Sequence, residues 1–211
     1  MGRRITYDDP IPSIFWTDSA ATNSTSSPHS FTGVGIGTAE ATREVFVATY
    51  FGAPTALTVG GVSATLVVNN SVLKLWRATV PTGTTATVTA TISAGTRLII
   101  SVWSVFNLRS TTPFATASYN AGANATTHTT TINTEEHGIL VAAGSMTVAG
   151  GSVVTSWSGA TLRDNRSLSF AGQGATLSAA DKTDTAAATG ASLQSVWNAS
   201  VLANMVAASF R

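Results

Sequence analysis

Leu98-Ile-Ile-Ser-Val-Trp-Ser-Val-Phe106 is the most apolar stretch of the 211-residue chain, and its alternation decides the fold class. Successive side chains of an extended strand point to opposite faces. Ile99, Ser101, Trp103 and Val105 therefore oppose Leu98, Ile100, Val102 and Phe106. Both faces are apolar, which marks a central strand covered on both sides, by a second sheet and by a loop or a neighbouring subunit. The run falls well short of the ~20 residues a membrane-crossing helix needs. A second two-faced strand follows the same rule: Val45, Val47 and Thr49 oppose Phe46, Ala48 and Tyr50. By contrast, Thr85, Thr87, Thr89 and Thr91 alternate with Ala86, Val88, Ala90 and Ile92. That strand gives one face to the core and the other to water or a polar interface.

Outward from these segments, short runs rich in Val, Thr, Ile, Leu and aromatics recur between Gly, Pro, Asn and Ser punctuation, the signature of strands. Strands are predicted near 30–36, 43–51, 55–60, 63–68, 72–79, 84–92, 97–106, 114–118, 126–132, 138–147, 153–157, 160–163, 166–171, 192–197 and 200–210. Gly60-Gly61 fits a primed hairpin turn, and Val80-Pro81-Thr82-Gly83 a turn with Pro at its second position. Helical periodicity is confined to an Ala-rich patch at 175–188 and a turn near Ala39 to Arg43. Many strands with short connections mean a sandwich or barrel. The expectation is an all-β protein with a single antiparallel β-sandwich, jelly-roll-like, over 29–211, with one core containing Val45, Val47, Leu98, Ile100, Val102, Leu140, Val206 and Ala208. No fixed-period repeat is visible.

Residues 1–28 differ in character. Arg3 and Arg4 precede Asp8-Asp9-Pro10-Ile11-Pro12, then come Ile14-Phe15-Trp16 and a Ser/Thr/Asn run. Pro10 and Pro12 impose an extended path. The segment is expected to be an N-terminal arm docking on a partner, with Ile14, Phe15 and Trp16 as its apolar anchor and Arg3 and Arg4 meeting acidic groups. Its alternative is an edge strand of the chain's own sandwich. No apolar segment of signal-peptide type follows the Arg pair, so no secretion signal is predicted.

Asp, Glu, Lys and Arg make 10% of the chain, hydrophobic residues 44%, and the formal net charge is +1. Disorder by composition needs the opposite balance. The chain folds with a hydroxyl-rich, weakly charged surface, which suits life inside an assembly better than free solution. Zero cysteines exclude disulfides, thiolate zinc sites and a cysteine nucleophile. Nine Arg and two Lys are scattered and balanced by ten acids, without the basic stripe of a nucleic-acid binder.

Catalytic chemistry finds little to work with. Glu135 and Glu136 would face opposite sides of a strand, and with His137 they have no second His at metal-ligand spacing, so the segment reads as a solvated turn. Asp181 and Asp184 suggest a calcium loop, but Lys182 stands between them. Gly33-Val-Gly-Ile-Gly37 lacks phosphate-loop spacing, and no G-x-S-x-G elbow surrounds any serine. No catalytic residue, metal or cofactor is predicted, and the protein is expected not to be an enzyme. Trp76 and Trp103 read as core. Trp157 and Trp197 stand at strand ends beside Ser, Asn and Gly, and are the aromatics proposed to face a ligand such as a host-surface glycan.

The blocks Phe31-Thr-Gly-Val-Gly-Ile-Gly, Arg43-Glu-Val-Phe-Val-Ala, Val59-Gly-Gly-Val-Ser-Ala-Thr-Leu, Ala78-Thr-Val-Pro-Thr-Gly-Thr, Ile100-Ser-Val-Trp-Ser-Val and Met205-Val-Ala-Ala-Ser-Phe, in this order, resemble β-sandwich virion proteins of tailed bacteriophages. The resemblance implies a structural component of head, collar or tail, located in the virion. Capsid decoration is the leading expectation, with the major capsid protein or tail and collar subunits as partners and a homo-oligomer as assembly state. A carbohydrate- or receptor-binding module of a tail or fibre is the alternative.

Overall fold

The computed structural model describes residues 10–93 and 96–211, and every regular element within them is a β-strand. In chain order these are β1 (Ser13–Thr22), β2 (His29–Gly35), β3 (Glu44–Tyr50), β4 (Ala56–Val59), β5 (Val62–Ser63), β6 (Thr65–Asn70), β7 (Leu73–Thr79), β8 (Thr85–Thr91) and β9 (Leu98–Phe106). They continue as β10 (Ala115–Asn120), β11 (Ala125–Thr134), β12 (Gly138–Ala149), β13 (Val154–Ser158), β14 (Thr161–Phe170), β15 (Gln173–Thr185), β16 (Ala188–Val201) and β17 (Ala203–Phe210). All pairings are antiparallel.

The strands form four sheets, ordered β1-β9-β3-β7-β6, β2-β8-β4-β5, β10-β17-β12-β15-β14 and β11-β16-β13. The two five-stranded sheets are the inner pair. Their facing sides bury Phe46, Trp103, Ile139, Leu177, Val206 and Phe210 in a central apolar layer. Their far sides each face a smaller outer sheet. Val45, Val47, Leu98, Ile100 and Val102 pack against Val88 and Leu57 on one flank. Leu140, Met146, Met205 and Ala207 pack against Trp157, Leu193 and Trp197 on the other. This explains the two-faced strands: β3 and β9 are buried along their whole lengths. Both covers are sheets of the same chain. Alternation also holds in β8, whose Val88 and Ala90 are buried while Thr85, Thr87 and Thr91 are exposed.

Where one core is expected, four stacked sheets enclose three, and the antiparallel sandwich is built twice. In residues 13–106 the first strand lies beside the last, the second beside the penultimate, and β3 between β9 and β7. Residues 115–210 repeat this nesting: β10 lies beside β17, β11 beside β16, and β12 between β17 and β15. The outer sheet of the second unit lacks only a counterpart of the two-residue β5. The units meet face to face with an approximate two-fold relation, since β1 lies on β14 while its counterpart β10 lies on β6.

Two expectations are corrected. Residues 13–22, expected as an extended arm with an edge strand of the chain's own sandwich as the alternative, are that edge strand: β1, hydrogen-bonded along β9 at the edge of an inner sheet. Ile14 supplies a reason, because pairing with β9 carries it into the central apolar layer. The Ala-rich patch at 175–188 is not helix: β15 covers it as far as Thr185 and runs between β12 and β14, with Ala175, Leu177 and Ala179 facing the central layer and Ala180 the opposite one. Tertiary packing overrides the helix preference of alanine here.

Candidate docking site

Strand β1 is the edge of the first inner sheet and β14 the edge of the second, so the place where they approach is a seam between the units. Ile14, Phe15 and Trp16 from β1 and Leu162 and Arg163 from β14 line an open groove of about 350 Å³ along this seam. Alternation splits the three anchor residues. Ile14 is buried, while Phe15 is 57% exposed and lies 6.1 Å from the ring of Phe106. Trp16 is half-buried, and its indole N–H donates to Ser101 Oγ at 3.0 Å. Ile11, just before the strand, is also exposed.

A bulge between Trp16 and Asp18 fixes this geometry. The extra residue, Thr17, donates its hydroxyl to the Gly35 and Val102 carbonyls at 2.9 and 3.2 Å. Asp18 accepts from the backbone N–H groups of Gly35 and Ser19 at 2.8 and 2.7 Å. The bulge thus ties β1 to β2 of the outer sheet and re-aims the side chains before it.

Beneath the groove lies a buried charge. Arg163 donates from Nε and Nη2 to Asp181 Oδ1 at 2.9 and 2.7 Å. Asp181 is fully buried while the Arg163 side chain is 38% exposed. Burial pushes the Asp181 carboxyl above its ordinary value; the hydrogen bonds and charge of Arg163, and the Trp103 indole N–H, pull it the other way. Across the two-fold relation, the opposite seam is tied differently: Asn70 Nδ2 of β6 donates to the Tyr119 and Met205 carbonyls at 2.8 and 3.1 Å.

The other candidate residues fall elsewhere. Arg3 and Arg4 lie outside the described residues. Trp157 and Trp197, expected to face a ligand, are instead in the core of the second unit, and this is a correction. They point from β13 and β16 toward the inner sheet, with indole N–H groups donating to Ser178 Oγ and Ser195 Oγ, both at 3.1 Å. Their polar neighbours in sequence belong to the opposite strand face. Glu135 meets Arg211 at 3.3 Å, and His137 Nδ1 meets Asp184 Oδ1 at 2.8 Å while its Nε2 lies 3.9 Å from Glu136. Asp181 and Asp184 serve separate contacts, one buried and one exposed, so they do not form a shared cation loop. Among the described residues no three His, Cys, Asp or Glu side chains are grouped to hold a metal.

Sequence reasoning missed Leu162, Arg163 and Asp181 as partners of the anchor. One signal was available: a lone carboxylate ending an Ala-rich apolar run, with an arginine earlier, is what a buried ion pair requires.

No family model matches the chain, and no curated protein matches it. Two solved structures are weakly similar. The PBSX exported protein XepA is 14% identical, with 93% of this chain and 86% of that chain covered at a TM-score of 0.27. A structure from Cucumber Leaf Spot Virus is 12% identical, with 98% and 91% covered at 0.25. Likeness at this level carries no argument about fold or function.

Proposed function

We propose that the chain is a non-enzymatic structural component of a phage particle, a capsid decoration or other virion-surface protein, that docks on a larger assembly through the β1–β14 groove. The sequence blocks that resemble tailed-phage sandwich proteins supply the virion context. We read the twice-repeated nesting as two jelly rolls, an architecture that capsid and lectin domains share and that does not by itself decide function. Partners are the major capsid protein or tail and collar subunits, with further copies of the chain completing a homo-oligomer.

The observation that carries the docking reading is Phe15. An aromatic ring 57% exposed on an edge strand, with Ile11 54% exposed nearby, is costly to leave in water and well placed for a partner. Buried aromatics are frequent interface hot spots. The glycan-binding alternative loses its two proposed aromatics, since both are core.

The test compares Phe15→Glu with Val62→Glu, an exposed apolar control on the distant β4–β5 hairpin. Both variants should keep the native circular dichroism. Phe15→Glu should bind particles lacking the chain roughly thirtyfold more weakly, the effect of losing a hot spot of about 2 kcal/mol. Normal occupancy by Phe15→Glu contradicts the reading.

A further inference from the structure

The two units close the same end of their sandwiches in different ways. In the first, Arg43 precedes β3, turns inward and is fully buried. Its Nε donates to the Val80 carbonyl at 2.7 Å, Nη1 to Gly37 and Thr38 at 2.9 and 2.7 Å, and Nη2 to Thr82 at 2.6 Å. The guanidinium plugs the opening between the loops that follow β2 and β7. The residue in the equivalent place before β12 is His137. It takes a φ of 56° and turns its ring outward to Asp184. The loops of this second unit are tied by hydroxyls instead: Thr134 donates to the Ala186 carbonyl at 2.7 Å and Thr185 to that of Glu135.

Without an inward plug, the second unit keeps a cavity of about 180 Å³. Ile132, Leu140 and Leu193 form its apolar wall, while Thr134, Thr185, Ser192 and Lys182 line its polar side. We propose that this cavity is a binding site for a small branched aliphatic carboxylate, with the alkyl group against Ile132, Leu140 and Leu193 and the carboxylate at the Lys182 ammonium.

Size, surface and charge each support this. A cavity of roughly 150 Å³ accommodates a benzene-sized guest, so this one has room for a six-carbon chain with its polar end toward the hydroxyls and Lys182. The three apolar side chains are nearly fully buried, at 4%, 2% and 1% exposure. Lys182 has no carboxylate within ion-pair distance among the described residues, because Asp181 is held by Arg163 on the other face and Asp184 by His137. A cationic guest fits worse. It would meet the Lys182 charge, and the Glu135 and Ala186 carbonyls that resemble those binding Arg43 already accept from Thr185 and Thr134.

The probe is 4-methylpentanoate, titrated into the full chain carrying labelled Ile and Leu methyl groups and followed by NMR. Saturable shifts are expected at Ile132, Leu140 and Leu193, and none at Ile36 or Leu57 in the first unit. Lys182 is exposed, so Lys182→Met should fold normally and bind at least tenfold more weakly, as should the neutral 4-methylpentanamide with the unaltered chain. Absence of saturable shifts, equal binding of acid and amide, or full affinity in Lys182→Met each overturns the proposal.

Discussion

Arg43 and Asp181 are both fully buried ionisable side chains, and the chain treats them differently. Arg43 finds four carbonyls, so its charge is hydrogen-bonded although burial lowers its pKa. Arg43→Ala leaves those carbonyls without donors and an end of the core open; denaturant titration should show a loss of about 3–5 kcal/mol. Asp181 has one cationic partner, and burial outweighs it, so the folded carboxyl holds its proton more tightly than an ordinary carboxylate. Stability from such a group is present below the ordinary carboxylate value and lost as pH rises through the raised folded value. Asp181→Asn removes this dependence. The unaltered chain should therefore gain stability relative to Asp181→Asn between about pH 7 and about pH 4. A relative loss on acidification, measured by urea unfolding at both pH values, contradicts the assignment.

At the scale of elements, alternation located the strands that matter to the core. All eight residues expected in the core are buried, and β3, β8, β9, β12 and β17 lie where their patterns put them. Strands β1 and β15 were hidden for separate physical reasons. In β1 the prolines and the Ser/Thr-rich flank mask a ten-residue strand whose large apolar residues, Ile14, Phe15 and Trp16, all lie at one end. In β15 alanine fits both helix and strand, and only the layers on either side decide. Small side chains are a packing requirement there, since β15 lies against β9, the strand that carries Trp103. Ala179→Leu should overpack this layer and cost about 1–3 kcal/mol, read as a fall of several degrees in Tm. An unchanged Tm would mean that the central layer is looser than described. The candidate groove was half legible: the anchor triplet stands out in sequence, but Leu162 and Arg163 reach it only through the fold.

At the scale of the whole molecule, duplication was invisible in sequence because the two units share nesting rather than residues. Arg43 and His137 occupy the same place with different chemistry, and β5 has no counterpart. The docking groove exists only at the seam, so it requires the two units to form one body. Each inner sheet exposes its central-layer face if its partner is removed, uncovering Phe46, Ile99 and Trp103 in one unit and Ile139, Leu177 and Phe210 in the other. The measurement that tests this most directly is to express residues 1–110 and 111–211 separately and follow near-ultraviolet circular dichroism alone and after mixing. Neither half should show fixed aromatic packing alone, and the mixture should recover the spectrum of the intact chain; two halves that each unfold cooperatively and do not associate would contradict the account.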